Sequence, residues 1–408
     1  MKITAVEKII TPAAGCHLAG MGRGIISIAV HDDLCLKGCL LDDGTKKILI
    51  FSLDLLGLDA PFIEDVKRSV EKSAGIPYGN ILLSCTHTHS GPHTRSLEGI
   101  ELDTSYLESL KEKILEAAAE AVTAAPVDCD GFHYSAKCDE NINRRVIHAD
   151  NSCSYLPVDK ELFPLADNIR DRELAMLYFF SKHDGMPYLT IVNYAAHPLA
   201  SQSPGISGHS ISADYPGVIR RKVEAQLGGK CIFISGACGD LHPCGMENGF
   251  DRMERMGNAI AEIVVKHSFC ALRSDDKYKI ADFLETMTVP CRVKFDDERC
   301  IEAPLPAYNG AGETVAEIQL AAAGDVALVG VPGELLAEPG LEIKWHSPFR
   351  KTLICYNSTG YLSYIPHANA FLQGGYEAKT SHLETLGAFK IVTAAVNGLH
   401  ELKGKMEK

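Results

Sequence analysis

The chain lacks several of the features that assign a protein quickly. It has no Lys/Arg-rich run and a formal net charge of −13 over 408 residues. Such an acidic chain is a poor partner for nucleic acid or an anionic membrane surface. The densest basic patch is Arg220, Arg221 and Lys222, read here as a solvated helix face. No apolar run approaches the length of a membrane span. The opening MKITAVEKIITP lacks the charged-then-apolar order of an export signal. Fourteen cysteines are present, but no CxxC pair, which argues against a structural zinc ribbon. Several, such as Cys85, Cys231 and Cys355, sit inside apolar runs, where a free thiol behaves as a small hydrophobe. A reducing, cytoplasmic setting is the simplest expectation. There is no GxSxG elbow and no HExxH helix. The GMGRG stretch, Gly20 to Gly24, does not sit between a strand and a helix as a dinucleotide fingerprint must.

What is present is ordinary globular composition, 46% hydrophobic and 23% charged, enough for a large core. Apolar runs alternate with helical patterns. Lys47 to Leu53, Asn80 to Cys85, Leu189 to Tyr194, Cys231 to Ser235, Lys279 to Val293 and Val326 to Val331 read as strands. Helices are predicted near Pro61 to Ala74, from Ser105 to Ala125, from Tyr215 to Gln226, from Met253 to Lys266, and from Ser381 to Leu402. Ser105 with Glu108, and Ser381 with Glu384, have capping-box spacing. This alternation predicts an α/β fold with a central mixed sheet flanked by helices. Cys138 to Asp171 is irregular and polar, as functional segments often are. No linker divides the chain, so one domain over residues 1–408 is expected.

The strongest chemical signal is THTHSGP, Thr86 to Pro92, directly after a buried strand. In an extended chain residues two apart share a face, so His87 and His89 would project together from a strand end, and neutral imidazole is a common zinc ligand. The competing account is a pair of solvent-exposed turn histidines. NYAAHP places His197 after another strand, where a lone histidine could equally be a satisfied structural residue. Two strand-end sites strengthen each other, because a metal site gathers ligands from distant segments. ISADYPG and GACGDLHP are compact glycine-bearing junctions. Glu334, in GVPGE, is either a carboxylate ligand or a first-turn acid favoured by a helix dipole. Asp54 either orients a histidine or is a structural strand-end carboxylate.

Taken in order, ITP at Ile10, SLDLLG at Ser52, THTHSGP, NINR at Asn141, NYAAHP, ISADYPG, GACGD, VPGE at Val331 and the tyrosines of YIPHANAFLQGGYE resemble the catalytic domain of the neutral/alkaline ceramidase family. The resemblance spans nearly the whole chain, without that family's C-terminal immunoglobulin-like domain. It implies one zinc ion per chain on His87, His197, Glu334 and Tyr364, with Tyr361 the other choice for the tyrosine. It implies His89 as the proton-transfer residue, with Arg144 and Tyr376 on the substrate side. Where that family has serine, this chain has His242, which joins the candidate catalytic residues. The expected activity is hydrolysis of an N-acyl amide. The alternatives are a small polar or cyclic substrate (lactam, ester, lactone or sugar derivative) on the same centre, or a catalytically silent binding protein.

Overall fold

The computed structural model describes residues 1–20, 24–96, 102–155, 169–245, 247–273, 279–292 and 312–407. Part of the GMGRG stretch (21–23), part of the irregular middle segment (156–168) and Val293 lie outside the described residues.

The large sheet contains β1 (Lys2–Ile9), β2 (Cys35–Asp42), β3 (Lys47–Leu53), β4 (Ile81–Cys85), β5 (Val127–Lys137), β6 (Glu173–Ser181), β7 (Pro187–Tyr194) and β8 (Lys230–Ser235). Their order is β8-β7-β6-β5-β1-β2-β3-β4. Only the outer pairs, β3 with β4 and β7 with β8, are parallel; the inner pairs are antiparallel. A second sheet, β9 (Ile280–Pro290), β10 (Glu313–Ala323), β11 (Val326–Gly330) and β12 (Lys351–Cys355), ends in a third parallel pair, β11 with β12. The predicted mixed α/β architecture is present.

Side-chain parity explains the layering. Along β3, Leu49, Phe51 and Leu53 face α1 (Ala60–Ala74) and α2 (Thr104–Thr123). Ile48 and Ile50 face the other way, onto Val326, Leu328 and Leu353 of the second sheet. Alternate residues of a strand point to opposite faces, and here both faces are covered, so the strand reads as a continuous apolar run. α3 (Asp214–Leu227) and α4 (Gly249–His267) extend the helical layer over β6–β8. α5 (Ala337–Trp345) and α8 (Thr385–Glu407) cover the outside of the second sheet, with the short α6 (Ala368–Gln373) and α7 (Tyr376–Thr380) between them in the chain. The result is a helix–sheet–sheet–helix sandwich.

Several expectations need correction. α2 starts at Thr104, and its cap is Asp103, whose carboxylate accepts from the Tyr106 amide at 3.0 Å. Ser105 only donates to that carboxylate. α8 starts at Thr385, and Ser381 instead donates to the Tyr364 carbonyl at 2.8 Å, tying that segment down. Arg220 is not solvated. It is buried and pairs through both Nη atoms with the buried Asp54. Asp54 also accepts from the Cys35 amide (2.8 Å) and Thr86 Oγ1 (3.2 Å), so it anchors structure and does not orient a histidine. Within the irregular middle segment, Asn141–Asn143, Arg145–Ile147 and Cys153–Tyr155 form short strands. The described cysteines are all free thiols.

One ion-pair cluster gives a pH prediction. Burial would raise the pKa of Glu173, but Lys344, Lys351 and Ser135 hold it down at about 2 against an ordinary 4.5. A depressed carboxylate stabilises the fold above its unfolded value and loses that contribution as pH falls through the folded one. Acidification from pH 4.5 towards 2 should therefore lower the urea midpoint, and Glu173→Gln should flatten that slope. An equal slope in the variant would remove Glu173 from the account.

Candidate metal centre

The C-terminal ends of the three parallel pairs of the two large sheets meet at one place. His87 and His89 follow β4, His197 follows β7, Asp240 and His242 follow β8, Glu334 follows β11, and Tyr356 follows β12. Cross-links between strand ends hold them there. Ser235 Oγ donates to the Thr86 carbonyl at 2.6 Å, and Asn193 Nδ2 donates to the carbonyls of Ile234 and Ile354.

His87 departs from the extended geometry expected of it. Its φ is +70°, a left-handed conformation that a non-glycine residue adopts at a cost, and it is held by its amide donating to the Leu55 carbonyl at 2.9 Å. The two rings still converge, with Nε2 atoms 3.3 Å apart. His87 and His89 are thus neighbours, as residues two apart on one strand would be, although the backbone between them is not extended.

Each imidazole is oriented by a main-chain carbonyl at Nδ1. These are Leu56 for His87 (2.7 Å), Cys238 for His197 (2.6 Å) and Gly20 for His89 (3.1 Å). A carbonyl only accepts, so Nδ1 carries the proton and Nε2 presents a lone pair at His197 and His89; the Leu56 carbonyl sets the same tautomer at His87, where the Asn357 side-chain amide also stands 2.9 Å from Nδ1. These three ligand atoms lie within 4.8 Å of one another, a group able to hold a metal ion. Glu334 Oε2 stands 3.4 Å from His87 Nε2 and 3.3 Å from His197 Nε2. Two ligands on one tetrahedral zinc stand about 3.3–3.4 Å apart, given bonds of 2.0–2.1 Å. His197 Nε2 is buried with no hydrogen-bond partner. A buried orphan lone pair is costly unless something occupies it, so the donor set fits a metal ion.

The charges agree. Burial lowers His197 to about 4 and His89 well below its ordinary value. Glu334 is clamped from behind by two phenols, Tyr356 donating to Oε2 at 2.9 Å and Tyr361 donating to Oε1.

Laid over neutral ceramidase from Pseudomonas aeruginosa, 99% of the chain matches 74% of that chain, with a TM-score of 0.80 and 16% identity. A ceramidase complexed with C2 gives 0.79 at 15% identity, covering 99% and 75%. The fold is that of neutral ceramidase. No protein-family model matches the chain, and no curated protein matches it in sequence. At this identity the likeness establishes the ceramidase fold alone.

On this ceramidase fold the remaining candidates gather beside the histidines. Arg144 is buried and donates to Glu377 Oε1 (2.6 Å), the Gly239 carbonyl (2.8 Å) and Tyr364 Oη (3.1 Å), with His242 Nε2 2.8 Å from its Nη1. Burial, and then Arg144, keep the His242 imidazole well below its ordinary value, so it accepts from the guanidinium. Tyr364, on the strand paired with Glu334, meets Tyr376 edge-on at 5.6 Å between ring centroids. Tyr376 is 48% exposed, at the rim. Tyr361 and Tyr364 therefore differ in contact: the first bonds the Glu334 carboxylate, the second the Arg144 guanidinium. No helix among the described residues is long and apolar enough to cross a membrane.

Sequence reasoning missed four contributors. Tyr356 and Glu377 are buried polar anchors. Asp214, at φ +58°, accepts from the amides of Ala200 (3.1 Å), Ser201 (2.7 Å) and Tyr215 (2.7 Å), and so shapes the turn whose Pro198 carbonyl holds the His89 amide. Gly20 is the fourth. A Cβ there would lie 2.5 Å from His89 Nδ1, at a φ of +90°. Gly20→Ala should displace the ring by a few tenths of an ångström or more and, in the metal-dependent hydrolase proposed below, lower kcat/KM on the order of 10²-fold without loss of the ion. Unchanged kinetics would show that His89 does not need this seat.

Proposed function

We propose that the chain is a zinc-dependent hydrolase that cleaves an N-acyl amide bond with water. One observation carries the reading. Three buried imidazole Nε2 atoms, each with a carbonyl on its other nitrogen, converge with the Glu334 carboxylate, which stands from His87 and His197 at the spacing of two ligands on one zinc ion. His87, His197 and Glu334 would hold the ion, with Tyr364 completing the set. Zinc would supply Lewis acidity, bringing the pKa of a water it binds to about 7. Neutral ceramidase, whose name denotes cleavage of an N-acyl amide, has the same fold, and that likeness selects the bond.

The side chains divide the remaining work. His89 Nε2 takes the proton of the attacking water and returns it to the departing nitrogen. Arg144 and Tyr376 donate to the carbonyl oxygen as it gains negative charge. His242 accepts from Arg144 and steadies the guanidinium. A second reading keeps the centre but places a small polar or cyclic substrate in it. What favours it is the polar wall of Arg144, His242 and the Gly239 carbonyl beside His197.

Protein purified without chelators should carry about one zinc per chain and hydrolyse at least one member of a panel of N-acyl-sphingosines, N-acyl amino acids, lactones and glycosides. A metal-free protein that gains no activity from added zinc would overturn the proposal. Turnover confined to the lactones or glycosides would select the second reading.

A further inference from the structure

We infer that Glu377 and Arg145 form a buried latch that positions Arg144 and Tyr376. The inference deepens the hydrolytic reading above and rests on it.

Arg144 and Arg145 are consecutive, yet both reach the same carboxylate. Glu377 Oε1 accepts from Arg144 Nε at 2.6 Å, and Oε2 accepts from Arg145 Nη1 at 2.8 Å. All three side chains are at most 4% exposed. Ion pairs this deep are held rigidly, because losing one member leaves an uncompensated charge. Glu377 sits in α7 (Tyr376–Thr380), a helix of five residues. So short a helix has no stability of its own and takes its position from what its side chains hold.

The turn before α7 is built to close over Arg145. Nη2 of Arg145 donates to the Gly374 carbonyl (3.0 Å) and to Gln373 Oε1 (3.3 Å). At Gly375, φ is +88°, and a Cβ would stand 2.9 Å from Cys153 Sγ and 3.1 Å from Arg145 Nη1. Glycine is required there on both counts. Gly375 of GGYE thus serves the approach of Arg145, and the glutamate serves both arginines.

The consequence falls on the residue between them. Tyr376 is half exposed, and its ring lies 5.6 Å from the Arg144 guanidinium carbon and edge-on to Tyr364. Covalently next to Glu377, it is set by the latch. One carboxylate therefore fixes both donors that face the carbonyl oxygen in the proposed reaction. Glu377 and Arg145 are positioning residues, since neither touches the reacting atoms.

The test uses Glu377→Gln, which keeps shape and removes charge, and Glu377→Asp. The readouts are zinc content, kcat and KM on the best N-acyl substrate of the panel, and amide hydrogen exchange over residues 374–380. The latch predicts retained zinc, kcat lower on the order of 10²-fold with a smaller change in KM, and faster exchange at 374–380. It also predicts that adding Tyr376→Phe to Glu377→Gln costs much less than Tyr376→Phe costs alone, because neighbouring sites that act together are not additive. Partial recovery in Glu377→Asp supports it. Should Glu377→Gln fail to fold, Arg145→Lys carries the same readouts while preserving the charge. Wild-type kcat and exchange in these variants, or strictly additive effects with Tyr376→Phe, would overturn the latch. Failure of the wild-type protein to hydrolyse any panel member would overturn the hydrolytic reading instead, and exchange would still decide whether the latch holds α7.

Discussion

On the proposed zinc hydrolase, alanine in place of His87 is expected to remove the ion and the activity together. Alanine in place of His89 is expected to spare the ion and lower turnover roughly 10²- to 10⁴-fold. The two residues are two apart in sequence and 3.3 Å apart at Nε2, so the asymmetry has to come from their surroundings. His87 is 1% exposed, with the Leu56 carbonyl at Nδ1 and the Glu334 carboxylate facing Nε2. His197 repeats that arrangement with the Cys238 carbonyl and the same carboxylate oxygen. These two and Glu334 share one focus. His89 is 8% exposed and takes its orientation from the carbonyl of Gly20, an exposed loop residue. It meets His87 and not the carboxylate at bonding distance, as a group that handles protons beside a metal should. Metal analysis of each purified variant, with kcat on the same preparation, decides the matter. Equal metal loss in both would place His89 in the ligand set, an assignment that the grouping of all three imidazoles also admits.

The strand ends were legible because they carry a strong local signal: an apolar run that stops at a histidine or a glycine-bearing turn. Thus His87, His197 and Glu334 could be found one segment at a time, and the alternating runs gave the α/β class. The double sheet was not legible. Apolar residues at both Ile48/Ile50 and Leu49/Phe51 state that two faces are buried, but not that a second sheet covers one of them. Arg220 was misread because a run of three basic residues resembles a solvated face; its partner Asp54 lies 166 positions away. The carbonyls that set the three imidazole tautomers could not be read at all, since a main-chain acceptor has no residue type. Glu377 was hidden differently. It adjoins the tyrosine that attracted notice, and its two partners are over 230 positions distant. Local chemistry is written in short motifs, whereas the groups that aim it are chosen by long-range packing.

Arg220→Met should be the most destabilising of the substitutions considered, by about 3–5 kcal/mol, the usual cost of breaking a buried ion pair from one side. Asp54 is fully buried, and without the guanidinium its charge has only the Cys35 amide and the Thr86 hydroxyl for company. Urea unfolding would read the change as a lower midpoint at constant slope. Pairing the change with Asp54→Asn removes the stranded charge, so the double variant should be more stable than Arg220→Met alone. The effect should also reach the metal centre. Asp54 fixes the start of the segment whose Leu55 carbonyl holds the His87 amide and whose Leu56 carbonyl holds its Nδ1. Groups that orient a ligating histidine commonly contribute 10- to 100-fold, roughly, to metal affinity. Zinc competition with a chelator should therefore show weaker binding in Arg220→Met and partial recovery in the double variant. Weakened stability with wild-type zinc affinity would confine the Asp54–Arg220 pair to the fold and show that the strand end carrying His87 holds its geometry without it.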